Sequence, residues 1–327
     1  MKNRNLKIID LHCDTILSCF VHEESFRSRP GHISAEKLAS GGCLAQCFAL
    51  FIPTYETAEG YGLGKTDPWQ LYKDMLSCYR ENMEKCADVI RPALSPSDLA
   101  ENSGGGMMSS LLTVEDGVEI DGKIERLDEM YRDGVRMLAL TWNYENCIGY
   151  PNSADESLHT SRGLKEFGFE AVQRMNELGM IVDVSHLSEA GFYDVARCSL
   201  KPFIASHSCC RALKDHSRNL TDAQLKTIGE CGGVVGINFY DVFLGDGNGF
   251  TSVDAVISHM RHIKNRAGIE SLAWGSDFDG IESTLEFHDY SGFPALLSAL
   301  EKEFTPDEID RINSKNFLRV FSEQNCK

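Results

Sequence analysis

Near the N-terminus the stretch IIDLHCDTI, residues 8–16, sets Asp10, His12 and Asp14 at every second position of an otherwise apolar run. On an extended strand, residues i and i+2 point the same way, so His12 and Asp14 share a face. An unpaired carboxylate buried there would cost roughly several kcal/mol, and a metal ion is one candidate for compensating it. Residues of the same kind recur at the ends of other apolar runs. Glu115 lies at the end of SSLLTVEDG, His186 closes MIVDVSH, His207 lies in PFIASHS, and Asp277 and Asp279 end SLAWGSDFD. Imidazole and carboxylate together, with no cysteine at these positions, favour zinc or a similar first-row ion over calcium. Such a set suits two divalent ions with a carboxylate bridging them.

These residues meet only if the elements carrying them converge. The runs at 7–14, 43–52, 109–117, 135–143, 180–186, 202–208, 233–240 and 271–279 read as strands. Between them, amphipathic segments at 69–86, 124–132, 163–178, 188–197, 222–230 and 252–267 read as helices. Ser188, Thr221 and Thr305-Pro306 act as start signals, and Gly179, Gly232 and Gly268 as stops. Strands mostly followed by a helix, at spacings of about 25–45 residues, predict the α/β class and a (β/α)8 TIM-like barrel. A doubly wound sheet is the alternative, but no glycine-rich phosphate loop follows a strand; SGGGM at 103–107 precedes one. A barrel of this kind assembles its active site at the C-terminal ends of several strands, and the candidate ligands fall there. The segments 53–68 and 144–162 are expected as long loops enclosing a pocket on that rim. With no repeat and no clear boundary, residues 1–327 are expected to form one domain.

Of the 327 residues 42% are hydrophobic, ample for a core, and the formal net charge is -17. An acidic surface argues against nucleic acid and against anionic membranes as partners. The twelve cysteines are scattered without a CxxC pair, several inside apolar runs, and read as reduced thiols of a cytoplasmic protein. MKNRNLKIIDLHCDTI contains no long apolar region, and SEQNCK at the other end carries no hydrophobic tail, so no membrane association is expected. The sequence leaves a homodimer open.

The motifs DLHCDT (10–15), TVEDG (113–117), RMNELGMIVDVSHLS (174–188), IASHS (204–208), HSRNLTD (216–222), GGVVGINFY (232–240) and WGSDFDGI (274–281) span nearly the whole chain. Together they resemble the membrane (renal) dipeptidase family, zinc-dependent dipeptidases built on a (β/α)8 barrel. The resemblance implies His12 and Asp14 on one zinc, His186 and His207 on a second, and Glu115 bridging them. It implies Asp277 as the proton-transferring carboxylate, with Asp279, at i+2 on the same strand face, as the alternative. It also implies Arg218 as the receptor for the free carboxylate of a dipeptide substrate, with Tyr240 lining the same pocket. In the implied reaction a zinc-bridging water, largely hydroxide near neutral pH, attacks the peptide carbonyl, and Asp277 passes its proton to the leaving amine.

One position departs from the family pattern. Members usually carry His after the LT of the fourth strand, where this chain has Trp142, whose indole donates a hydrogen bond but carries no charge. Either the metals and Arg218 suffice, or a loop residue such as His159 substitutes, or the substrate differs. Two other classes stay open: a binuclear hydrolase of another amide or lactone bond, and a catalytically impaired ligand-binding relative. The HxD at the first strand weighs against the former, and the presence of Glu115, Asp277 and every expected ligand weighs against the latter.

Overall fold

The computed structural model describes residues 6–324. Its strands are β1 (Ile8–Asp10), β2 (Cys43–Phe51), β3 (Ile90–Pro92), β4 (Met108–Glu115), β5 (Val135–Ala139), β6 (Ile181–Asp183), β7 (Ile204–Ser208), β8 (Val234–Ile237), β9 (Phe250–Thr251), β10 (Leu272–Trp274) and β11 (Thr284–Leu285). Nine of them form one sheet, in the order β2-β1-β10-β8-β7-β6-β5-β4-β3. A further parallel pairing of β2 with β4, running from Ala45 opposite Ser109 to Phe51 opposite Glu115, closes the ring. β3 hangs on the lower half of β4 outside that ring, so eight parallel strands make the barrel. Each of the eight expected apolar runs overlaps one of them.

The barrel interior takes one apolar residue or more from each strand: Ile9, Ala45, Leu111, Met137, Ile181, Ile204, Val234 and Ala273 belong to one buried cluster. Leu99, Phe317, Val320 and Phe321 also belong to that cluster, bringing in the helices Pro96–Gly104 and Asn316–Gln324. The larger cluster takes the alternate strand residues, among them Leu112, Leu138, Val182 and Val235, with the helices that surround the ring. This period-2 division is what a strand buried on both faces requires.

The expected helices are present as Pro68–Lys85, Ile124–Asp133, Glu166–Leu178, Glu189–Cys198, Asp222–Glu230 and Val253–Ala267. Ser188 accepts from the Gly191 amide, and Thr221 and Thr305 each form a capping box, with Gln224 and Glu308. The final helical run passes through a π-helical turn at Arg311–Lys315. Asn313 in that turn accepts the Trp274 indole N–H at 3.0 Å, tying the last helix to β10.

Five strands, β1, β5, β6, β8 and β10, stop three or more residues earlier than the apolar pattern suggests. β1, β6 and β10 have three residues each, so His12, Asp14, His186, Asp277 and Asp279 lie beyond them, not on a strand face. The reason is a side-chain substitute for the ladder. Asp10 accepts from the Ser276 amide at 2.8 Å and its hydroxyl at 2.6 Å. Asp183 accepts from the Ser185 and Ser206 amides, both at 2.9 Å. These buried carboxylates satisfy backbone donors that would otherwise be orphaned where the strands end. The eleven described cysteines are all free, and Cys326 lies outside the described residues. No helix among the described residues is long and apolar enough to cross a membrane.

Candidate metal centre and substrate cavity

At the C-terminal mouth of the barrel six side chains from five strands converge. His12 and Asp14 follow β1, Glu115 ends β4, His186 follows β6, His207 lies in β7 and Asp277 follows β10. His12 Nε2 lies 3.4 Å from Asp14 Oδ2, 3.6 Å from Glu115 Oε2 and 3.8 Å from Asp277 Oδ1. His186 Nε2 and His207 Nε2 lie 3.2 and 3.4 Å from Glu115 Oε1, and 3.0 Å from each other. Glu115 therefore turns one oxygen to His12 and the other to the pair of histidines. Two overlapping triads, His12–Glu115–His207 and His12–Asp14–Asp277, present donor atoms close enough to share an ion.

The outer hydrogen bonds show which way the imidazole lone pairs point. The Ser206 hydroxyl donates to Asp183, so its oxygen accepts from His207 Nδ1 at 2.8 Å. His186 Nδ1 lies 3.0 Å from the Asn143 side-chain oxygen, an acceptor. With protons on both Nδ1 atoms, both Nε2 atoms carry lone pairs directed at each other and at a carboxylate oxygen. Burial pushes His186 and His207 well below the usual imidazole range, with Arg218 and His12 acting in the same direction, so these rings stay neutral, as ligands must. Across the cluster the balance is reversed. Burial opposes protonation of His12, but Glu115, Asp14 and Asp277 together outweigh it and push His12 up to about 10. Burial, reinforced by Asp14 and Asp277 against the pull of His12, holds Glu115 well above the usual carboxylate range. His12 Nε2 and Asp14 Oδ1 are buried without a hydrogen-bond partner. A bound divalent cation removes each of these penalties at once, so the residues fit a metal.

The backbone is bent to make this arrangement. His186, Asp277 and Asp279 have φ of 67, 62 and 66°, and Asp116, next to Glu115, has 76°, a left-handed region costly for residues with a Cβ and found preferentially at functional sites. Gly280 is required here: a Cβ on it would lie 2.1 Å from Asp14 Oδ2 and 2.7 Å from Asp277 Oδ1.

Asp277 and Asp279 face different surroundings because of these reversals. Asp277 Oδ2 accepts from the Asn238 side chain at 2.8 Å, while Oδ1 faces His12. Asp279 is held away from the cluster by Arg29 Nη1 at 2.6 Å, Thr15 Oγ1 at 2.7 Å and the His32 amide at 2.6 Å. Burial pushes Asp277 up to about 6, with Asp14 adding to it and His12, Asn238 and Arg218 opposing.

A cavity of about 360 Å³ opens over the cluster, lined by Asp14, Leu17, Phe51, Tyr61, Glu115, Trp142, Asn143, His186, Tyr240, Phe243, Asp277, Asp279, Gly280, Ile281 and Glu282. Of the two long loops expected to enclose it, 53–68 contributes Tyr61, whereas 144–162 contributes no lining residue. Trp142 and Tyr240 line the cavity. Arg218 is buried beside it, its guanidinium 5.4 Å from the ring centre of Phe243 and its Nη2 donating to the His207 carbonyl at 3.2 Å. Its Nε has no partner. His159 does not take the place of the missing histidine: it is buried outside the cavity lining, with ring nitrogens 2.9 Å from Arg211 and 3.3 Å from the Ser153 amide.

Sequence reasoning missed Asn143, Asn238, Asp183, Ser206 and Asp116, which orient the cluster without joining it. Their positions at or just beyond strand ends were the only available signal.

The sequence model of the membrane dipeptidase family, peptidase family M19, matches residues 3–327. An uncharacterized dipeptidase of Schizosaccharomyces pombe is 34% identical over 312 residues, covering 91% of this chain and 74% of its own. An uncharacterized protein from the pqqA 5' region of Klebsiella pneumoniae is 32% identical over 264 residues, or 78% of this chain and 96% of its own. The crystal structure of a Rhodobacter sphaeroides metallopeptidase, liganded with a phosphinate mimic of the dipeptide L-Ala-D-Ala, superposes with a TM-score of 0.89 at 25% identity, covering 98% of this chain and 99% of that one.

Removing the group that orients His207 tests the tautomer argument. Ser206→Ala should weaken divalent-metal binding by about 10- to 100-fold in a chelator competition, with the circular dichroism spectrum unchanged. Unaltered affinity would mean that the Ser206 contact does not set the lone pair of His207.

Proposed function

The chain belongs to the membrane dipeptidase family, and on that premise we propose that it hydrolyses dipeptides with two zinc ions, one on His12 and Asp14, the other on His186 and His207, with Glu115 shared. The observation that carries this reading is the pair of imidazole Nε2 atoms 3.0 Å apart, both within 3.4 Å of one glutamate oxygen. Nitrogen and carboxylate donors without thiolate suit zinc. When bound, such a metal pair polarises a carbonyl and lowers the pKa of water to near neutrality.

The remaining work falls to the chain's own groups. Arg218 receives the free carboxylate of the substrate. Its unpartnered Nε and its place beside the cavity support this role, and a charge-assisted contact there favours a peptide with a free C-terminus over an internal bond. Asp277 moves the proton. Asn238 occupies one of its oxygens and leaves the other facing the cluster, and a carboxyl pushed up to about 6 can both accept and return a proton near neutral pH. Asp279, committed to Arg29, Thr15 and His32, holds the loop that carries Asp277. The Rhodobacter relative's dipeptide mimic supports the same substrate class for this chain, and the cavity volume suits a ligand of that size. A cytoplasmic location remains the reading of the free cysteines, and a homodimer remains open.

The direct test is hydrolysis of a dipeptide panel that includes L-Ala–D-Ala, with chelator and with added zinc. Cleavage abolished by the chelator and restored by zinc is expected; cleavage indifferent to both would exclude the metal role. Arg218→Ala should raise KM for dipeptides by about 10- to 100-fold with metal content unchanged, in keeping with about 1.5–3 kcal/mol for a hydrogen bond to a charged group. Loss of metal in that variant would assign the arginine to the metal centre instead of the substrate.

A further inference from the structure

The cavity has an aromatic side whose position on the barrel says which part of the substrate reaches it. Phe51 ends β2, Tyr61 follows in the next loop, and Trp142 lies three residues beyond β5. Their rings close a triangle of edge-to-face contacts: Phe51–Trp142 at 4.9 Å and 68°, Phe51–Tyr61 at 5.0 Å and 72°, and Tyr61–Trp142 at 5.8 Å and 81°. All three line the cavity. The wall is fixed from behind. Asp116 Oδ2 accepts from the Trp142 amide at 3.2 Å, while Oδ1 accepts from Asn146 at 2.7 Å and the Val118 amide at 2.9 Å. Pre-set aromatic faces of this kind bind apolar groups at little ordering cost.

Around the ring the strands run β1, β2, β4, β5, β6, β7, β8, β10. The aromatic wall stands over the arc β2–β4–β5. Arg218 follows β7, and Tyr240 and Phe243 follow β8, which is the opposite arc, with the metal cluster between. A dipeptide whose carboxylate rests at Arg218 and whose scissile carbonyl lies over the cluster extends its first residue towards β2–β4–β5. Its two α-carbons are about 3.8 Å apart, so the side chain of that first residue is the part of the substrate directed to the wall.

We propose that Trp142, Phe51 and Tyr61 form a subsite that selects dipeptides with a large apolar or aromatic N-terminal side chain, and that Trp142, which touches both other rings, is a specificity-determining residue. This inference rests on the dipeptidase reading, because that reading supplies the substrate's direction across the cavity. Glycine gives the wall nothing to cover. A glutamate side chain would lose water against three rings, next to a cluster already rich in carboxylates.

The test uses zinc-loaded protein and the series Gly-Ala, Ala-Ala, Leu-Ala, Phe-Ala and Glu-Ala, compared by kcat/KM. Leu-Ala and Phe-Ala should exceed Gly-Ala by at least about tenfold, the scale of burying a few methylenes, and Glu-Ala should fall below Ala-Ala. Tyr61 is 36% exposed on a short 3-10 segment, so Tyr61→Ala is compatible with folding, and it should reduce the Phe-Ala to Gly-Ala ratio several-fold. Trp142→Ala should reduce it further, with metal content retained. A flat series, or ratios unchanged in both variants, would overturn the subsite and leave the dipeptidase reading standing. No cleavage of any member by folded, zinc-loaded protein would overturn the dipeptidase reading and the subsite with it.

Discussion

Two neutral imidazoles direct their lone pairs at each other across 3.0 Å, with a glutamate oxygen against both, at the barrel mouth where both side chains are almost wholly buried. Left alone, this arrangement is repulsive, and the low dielectric makes the repulsion worse. The chain nevertheless enforces it from outside: Asp183 and Ser206 fix one ring, Asn143 the other, and left-handed backbone at His186 sets the angle. The cost is offset when a cation sits between the donors. The carboxylate-rich half around His12 follows the same logic, since Asp14, Glu115 and Asp277 there face one imidazole and one buried arginine.

The barrel serves this constraint through a repeated device. Asp10 grips Ser276 between β1 and the chain after β10; Asp183 grips Ser206 between β6 and β7; Asp241 accepts from Ser283 at 2.6 Å and so joins the chain after β8 to that after β10. Each pair ties neighbouring strand ends where the backbone ladder gives out. The strands can then be short, and the chain is free to turn sharply and aim a ligand. Below this layer the interior is filled by apolar residues from every strand and by Phe317, Val320 and Phe321 of the last helix. Arg29 on Asp279 extends the same bracing to the loop that carries Asp277.

The eight barrel strands were legible because strands buried on both faces read as apolar runs. The helices with Ser188, Thr221 and Thr305 were legible from their caps. The helix Thr15–His22 was not, since its eight residues are mostly apolar and no capping side chain marks its start. β3 and the β9–β11 pair were also missed, having only two or three residues each. In the site, residue types marked the six converging groups, and motif resemblance named Arg218. Period-2 reasoning failed at Asp277 and Asp279: it placed them on one face, whereas positive φ at both turns the first to His12 and the second to Arg29. Nothing in an isolated aspartate announces a left-handed conformation. The orienting residues Asn143, Ser206 and Asn238 were illegible for a related reason, because their importance depends on what they touch.

On the proposed reading, a metal pair at the centre, a carboxylate receptor on one arc and the aromatic wall on the other would give the cavity a direction as well as a chemistry. The central claim is the metal pair, and anomalous diffraction at the zinc edge from crystals of the zinc-loaded protein tests it most directly. The account predicts two peaks about 3.5–4 Å apart, one beside His12 and Asp14 and the other beside His186 and His207, with Glu115 touching both. A single peak, or zinc bound away from these residues, would contradict it.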